Sequence, residues 1–267
     1  SSKQAAKFLS AKLNSFPKSY RPEVHAYLGT LYGQQGQYQK AINEYKRATA
    51  GGIKNPLIHL NLGEAYSRLG NYRMAEQSLK AYLKEKPKDV DARLRLAAVY
   101  RKRNKNSAAI KTLKGIIKDN PKSLKAYLAL VDIYEKLNKD KEAAATYEAI
   151  AKLAPDNKVV HYNQGVLYFE MKQYARAGKA FSKVAKLDKK DIASREYLVQ
   201  VHRQRKKPRE ALAVLQELIK LRPTRWDYYR QSFELYEGLK AYEEMTRTFA
   251  RAVRRAPEQP ELRYFLG

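Results

Sequence analysis

The chain has 267 residues, and 54 Lys and Arg against 27 Asp and Glu leave a formal charge of +27, which implies attraction to something anionic or strong self-repulsion at low salt. The absence of cysteine excludes disulfides and thiolate metal sites, and leans towards a bacterial chain that tolerates an oxidising periplasm. No apolar run approaches the roughly 20 residues of a membrane-spanning helix, and any targeting address is expected outside this stretch.

In chain order, the first predicted element is a helix over residues 3–13, with Ala5, Ala6, Phe8 and Leu9 on or near one face and Pro17 closing it. Counted back from Pro17, it matches the second helix of a helical hairpin whose first helix is missing. Seven hairpins follow, starting at Pro22, Pro56, Val90, Leu124, Lys158, Ile192 and Trp226. Three columns on one lattice of 34 residues fix that register. Pro87, Pro121, Pro155, Pro223 and Pro257 form one, with Lys189 at the missing mark. Tyr66, Tyr100, Tyr134, Tyr168 and Tyr236 form the second, with His202 in the gap. Ala41, Ala75, Ala109, Ala143, Ala177 and Ala211 form the third. Gly36-Gln37-Tyr38 and Gly70-Asn71-Tyr72 mark the turn inside a hairpin, glycine ending one helix and a polar residue opening the next. The proline column ends each second helix, because its ring and missing N–H bar continuation. No strand pattern competes. Residues 1–21 and 260–267 are expected to be pieces of truncated repeats flanking an array over 22–259.

This pattern resembles the tetratricopeptide repeat (TPR) over essentially the whole chain. The second hairpin carries it most plainly: LGEAY (Leu62 to Tyr66), Ala75, Leu79 and Pro87. Gly63 and Ala75 let two helices approach, and Tyr66 and Leu79 fill the space beside that contact. Val131, Val199 and Phe233 depart from the small eighth residue, and Met245 from the alanine. The resemblance implies an all-α, right-handed superhelical solenoid of about seven helix-turn-helix repeats with partial repeats at both ends.

The chemistry-bearing residues do not assemble a reaction centre. His25, His59 and His161 share the fourth repeat position and His202 the tyrosine column, so each is a repeat or more from the next and no zinc-ligand spacing arises. There is no phosphate loop, nucleophile elbow or paired carboxylate beside a histidine. A non-catalytic chain without metal or cofactor is expected. The tyrosine columns read as packing, leaving Tyr162, Phe169 and the cluster Trp226 to Tyr229 as freer aromatics.

Two surfaces remain. The resemblance implies that repeat positions 2, 5, 9, 12 and 13 line a concave groove, where this chain places ten acids and seven bases. Leu57, Leu60, Leu94, Ala98, Leu128, Val159, Tyr162, Val166 and Phe169 make an apolar strip there, rimmed by Glu64, Asp91 and Asp132. Such a strip suits an amphipathic, somewhat basic partner segment, although part of it could equally pack between neighbouring first helices. At Ala26, Leu60, Leu94, Leu128 and Tyr162 the fifth position lacks the cations with which family members grip a C-terminal carboxylate. The basic excess lies off the groove. Lys172, Arg176, Lys179, Lys183 and Lys186 are spaced to share one helix face with no acid among them. Arg205, Lys206, Lys207 and Arg209 lie in the RQRKKPR turn, and Arg247 and Arg251 near the end. Lys84, Lys118, Lys152, Lys186, Lys220 and Arg254 recur in the last turn of each second helix, where a cation complements the helix dipole.

The expected function is a protein–protein scaffold, its groove docking a peptide or helix and its basic convex face meeting an acidic protein, polysaccharide or lipid headgroup. A bacterial envelope assembly is the expected setting, periplasmic or outer-membrane-associated, as in exopolysaccharide export or pilus biogenesis. The alternative is a nucleic-acid-associated helical-repeat protein gripping phosphate backbone. The groove acids and the lack of a regular polar pair per repeat weigh against base reading.

Overall fold

A computed structural model of the chain describes residues 2–255, so Pro257 and the segment 260–267 lie outside the described residues. Among the described residues every regular element is helical. Two compact units divide the chain, one ending at Leu137 and the other beginning at Asn138. In the first lie α1 (Ser2–Lys12), α2 (Arg21–Gln34), α3 (Tyr38–Ala50), α4 (Pro56–Arg68), α5 (Tyr72–Glu85), α6 (Val90–Lys102), α7 (Asn106–Asp119) and α8 (Leu124–Lys136). In the second lie α9 (Asp140–Leu153), α10 (Lys158–Glu170), α11 (Tyr174–Leu187), α12 (Ala193–Gln204), α13 (Pro208–Leu221), α14 (Trp226–Gly238) and α15 (Tyr242–Arg255). Every predicted hairpin start falls within one residue of an observed first helix. The unit boundary lies in the turn of the fourth hairpin.

Inside each unit, consecutive helices pack antiparallel on their sequence neighbours, as short connections require. The columns explain why. All six alanines of the Ala41 to Ala211 column are fully buried, as are Leu79, Leu113, Phe181, Leu215 and Phe249 four residues further along the second helices. Opposite them, a Cβ on Gly63 would stand 2.7 Å from Leu79 Cγ, and one on Gly165 would stand 2.8 Å from the Phe181 ring. Glycine at these points is what lets a large side chain lie flat on the facing backbone. Where the eighth residue is Val131 or Val199, it is itself buried. Helix α1 packs Ala6 against Leu28 and Leu31 of α2, in the manner expected of a preceding second helix.

The turns inside the hairpins obey a rule stricter than the glycines alone show. Gly36, Gly70, Asn104, Asn138, Lys172, Lys206 and Lys240, one every 34 residues, all have positive φ, between 53° and 76°. The chain must reverse within three residues between helices, and a left-handed residue does this. Helix starts are fixed by Asn55, Asp89 and Asn157, whose side chains accept backbone N–H bonds from the first turns of α4, α6 and α10.

Candidate binding surfaces

In the first unit, consecutive first helices (α2, α4, α6, α8) touch one another directly, which sets their outward residues on one face. Leu57 and Leu128 are 52% and 43% exposed there, Ala98 is exposed, and Leu60 and Leu94 are half-buried. The acids beside them are engaged. Glu64 pairs with Arg95 of the next first helix and, at 3.6 Å, with Arg68. Asp132 pairs with Arg101 of the preceding first helix and, at 3.0 Å, with Lys136. The expectation of an acidic rim is corrected at these two residues, because stacking brings a cation from the neighbouring repeat onto each carboxylate. Asp91 stays exposed and forms no ion pair among the described residues. Beside the strip, a cavity of about 280 Å³ opens between α2, α3 and α4, lined by Thr30, Gln34, Tyr45, Asn61 and Glu64. Asn61 Nδ2 donates to Tyr45 Oη at 3.0 Å, and Tyr45 Oη donates to Thr30 Oγ1 at 3.1 Å. Burial pushes the Tyr45 phenol up, the hydrogen bonds to Thr30 and Asn61 opposing it. The sequence reading missed this polar recess, because the three groups meet only across two repeats.

In the second unit, Val159 is 60% exposed, Val166 is half-buried, and the remaining predicted groove residues are occupied by packing. Tyr162 stands edge-on to Phe181 and Tyr197, Phe169 edge-on to Tyr174 and Tyr197, and Tyr197 stacks on Phe181 at 4.6 Å. Tyr162 and Phe169 thus cement α10, α11 and α12 together, which realises the packing alternative for that part of the strip. The apolar residues predicted as one strip fall in separate units, Leu57 to Leu128 in one and Val159 to Phe169 in the other.

The histidines at repeat position four serve packing. His161, buried, donates from Nε2 to the Pro155 carbonyl at 2.8 Å. Tyr229 Oη makes the equivalent bond to the Pro223 carbonyl, two repeats on in both partners. Arg195 reaches the Asp188 and Asp191 carbonyls and, at 2.9 Å, Glu217. Position four therefore plugs the joint between successive hairpins. His25 Nδ1 lies 2.6 Å from Glu44. Among the described residues no group of three His, Asp or Glu stands together as a metal would require.

The basic residues divide. Helix α11 contains four cations and no acid, but acids of the preceding hairpin reach two of them. Arg176 lies 3.9 Å from Glu148 and over the Tyr168 ring, and Lys183 bonds Asp156 at 3.1 Å. The expectation that this face is uncompensated is corrected for these two. Lys179 and Lys186 have no acidic partner among the described residues. With Lys183 they form one wall of a cleft of about 370 Å³, whose other wall is His202 and Arg205 at the end of α12. Its lining between those walls is Gly178, Ser182 and Leu198. His202 Nδ1 is buried and lacks a hydrogen-bond partner. Burial pushes the imidazole below its ordinary value; Glu210 acts upward, and Arg205 and Lys207 act downward. Lys172 and Lys206 are the left-handed turn residues. Lys207 pairs with Glu210 at 2.7 Å, Arg209 with Glu244 at 3.5 Å and Arg247 with Glu243 at 3.2 Å. Arg251 has no acidic partner among the described residues and, with Lys220, borders a separate cavity of about 340 Å³ between α13 and α15. His202, Ser182 and Leu198 are the cleft residues that spacing alone did not reveal.

Hairpins of uniform length, joined through buried columns and bearing variable outer faces, define a helical-repeat protein of the kind that presents binding surfaces. Family models described as tetratricopeptide repeat match residues 69–132, 102–167 and 159–191, and one described as TPR repeat matches 29–70. The chain belongs to the tetratricopeptide repeat family. No curated protein matches it. Among solved structures, it is similar to the C-terminal part of a TPR repeat-containing protein from Cytophaga hutchinsonii, at 16% identity and a TM-score of 0.61, over 90% of this chain and 98% of that one. A structure of Naa15/Naa10 bound to HypK-THB is similar at 16% identity and a TM-score of 0.65; it covers 98% of this chain, which spans 41% of that one. The MamA protein is similar at 20% identity and a TM-score of 0.51, over 70% and 95% of the two chains. At these identities the likeness concerns the fold. The family's repeats typically form non-catalytic protein–protein interaction scaffolds, and no described helix is long and apolar enough to cross a membrane.

Proposed function

We propose that the chain is a non-catalytic scaffold that docks a protein segment on the first-helix face of its first unit and an anionic partner on the basic surface of its second, in a bacterial envelope assembly. The observation that carries the docking surface is the exposure of Leu57 and Leu128 on a face where the acids Glu64 and Asp132 are already paired. Leucines that intra-repeat packing leaves uncovered favour an amphipathic partner helix or extended segment with apolar anchors. Because Glu64 and Asp132 are spoken for by Arg95 and Arg101, partner charge contributes little here and apolar contact most. The setting in an envelope assembly rests on composition, namely the absence of cysteine with a strong basic excess.

The test is selection of peptides from a random display library on the immobilised protein, followed by affinity measurement on a Leu57→Glu/Leu128→Glu variant. Selected peptides should carry two or more apolar anchors, and the variant should bind them at least tenfold more weakly with unchanged helicity. Equal binding by the variant rejects the first-helix face as the docking surface.

A further inference from the structure

We propose that the cleft between α11 and α12 binds an acidic protein segment, with Lys179 and Lys186 on one wall and Arg205 on the other taking its carboxylates. This rests on the reading of the second unit's basic surface as an anion-binding face, and names the partner's chemistry. Three observations converge. First, the cleft gathers cations that nothing answers: Lys183 has Asp156, but Lys179, Lys186 and Arg205 meet no acid. Like charges three and four residues apart on one helix repel, and α11 has no acid of its own to relieve this. An anionic partner removes that repulsion. Second, the helical rise places Lys179, Lys183 and Lys186 about 6 and about 4.5 Å apart along the axis, which is the spacing of acids at i, i+4 and i+7 on a facing helix. Third, the lining between the walls is aliphatic or small (Gly178, Ser182, Leu198), and the ring it meets is the His202 imidazole. A leucine or alanine between two acids finds its counterpart in Leu198, while stacking of a base on His202 or Arg205 is the outcome the oligonucleotide probe below tests.

His202 supplies the readout. Its Nδ1 lies buried and unbonded at this wall, and carboxylates brought beside it favour the imidazolium. Binding therefore raises the His202 titration midpoint, which a purely structural histidine would not show.

The experiment uses the whole chain and fluorescence anisotropy at low and moderate salt, with four probes. They are a labelled helical peptide with Glu at i, i+4 and i+7, its Gln twin, a short single-stranded oligonucleotide and inorganic polyphosphate. Lys179→Ala/Lys186→Ala is compared with Lys84→Ala/Lys118→Ala, which removes the same charge from the first unit. The expected result is binding of the Glu peptide and not the Gln twin, weakened about tenfold by the cleft variant and less than twofold by the control. NMR of the wild type should show the His202 midpoint rising on addition of the Glu peptide. Equal loss in both variants, or tighter binding of oligonucleotide or polyphosphate through the same lysines, overturns the proposal while leaving an anion-binding surface. If no probe binds even at low salt, the anionic-partner reading itself fails.

Discussion

Substitutions at the left-handed turn positions should change stability with a sign set by the residue already there. Gly70 has φ of 76°, and no atom lies within 4 Å of where its Cβ would be. Gly70→Ala therefore costs only backbone conformation. The left-handed region costs a non-glycine residue about 1–2 kcal/mol, and restricting the unfolded chain returns about 0.5–1 kcal/mol. The net destabilisation is about 1 kcal/mol, a fall of about 2–4 °C in Tm. Lys206, at φ of 55°, presents the reverse case. Lys206→Gly relieves the strain and loses one favourable charge at the end of α12, worth about 0.3–1 kcal/mol, so it should be neutral to slightly stabilising. Lys206→Asn removes the same charge while keeping a residue that tolerates this region, and separates charge from conformation. Urea unfolding followed by far-UV circular dichroism, supported by amide exchange in the hairpin concerned, measures each. If Gly70→Ala leaves the midpoint in place, or Lys206→Gly lowers it as much as Gly70→Ala does, the left-handed turn is not the constraint described.

Glu76 is buried and receives Lys80 at 2.7 Å, Lys105 at 3.1 Å and Arg103. Burial alone pushes its carboxyl up, but the hydrogen bonds from Lys80 and Lys105 and their charges bring it down to about 2, against an ordinary 4.5. Because the folded value is depressed, the stabilisation is full above pH about 4.5 and disappears as pH falls to about 2. Glu76→Gln should cost about 2–3 kcal/mol at neutral pH and flatten the acid limb of the stability curve; an unchanged limb would count against the assignment. Gly165→Ala places a Cβ 2.8 Å from the Phe181 ring and should destabilise by about 1–3 kcal/mol, with loss of ring-current shifts from the Phe181–Tyr197 stack. A wild-type Tm in this variant would show that the ring has room to move.

The buried half of the protein was open to sequence reading because burial repeats. Ala41, Ala75, Ala109, Ala143, Ala177 and Ala211 meet the same neighbours in every hairpin, so a 34-residue interval is a direct record of packing. The turn rule was half visible. Gly36 and Gly70 announce a positive φ, but Asn104, Asn138 and three lysines hold the same backbone with side chains that ordinarily signal solvent. The surfaces were the least legible part. Glu64 reads as a free groove acid until stacking brings Arg95, 31 residues later, onto it. Likewise Lys183 reads as uncompensated until Asp156, 27 residues earlier, folds back beside it. Such pairs connect different repeat positions, so no column displays them. Tyr162 and Phe169 were misjudged for the same reason, since their partner Tyr197 belongs to the next hairpin.

The pairing pattern also locates where a surplus charge has consequences. A formal +27 spread evenly over an array would be a diffuse field, screened within about 8–10 Å at physiological salt. The structure concentrates it instead. Cations of the first-helix faces, such as Arg95, Arg101 and Arg203, are spent on acids of adjacent first helices, where they tie one hairpin to the next. Each such pair is partly exposed and so worth little in stability, but it ties together two neighbouring first helices and offsets charge on their outward face. What remains positive is drawn towards second helices and turns, where Lys179, Lys186, Arg205 and the left-handed Lys172 and Lys206 have no acid within reach. The turn lysines follow the carboxyl ends of α10 and α12, so the helix dipole helps hold them in a costly backbone conformation. One regularity thus runs through these pairs: the acids Glu64, Asp132 and Glu234 sit where one hairpin meets the next, whereas α11 carries none.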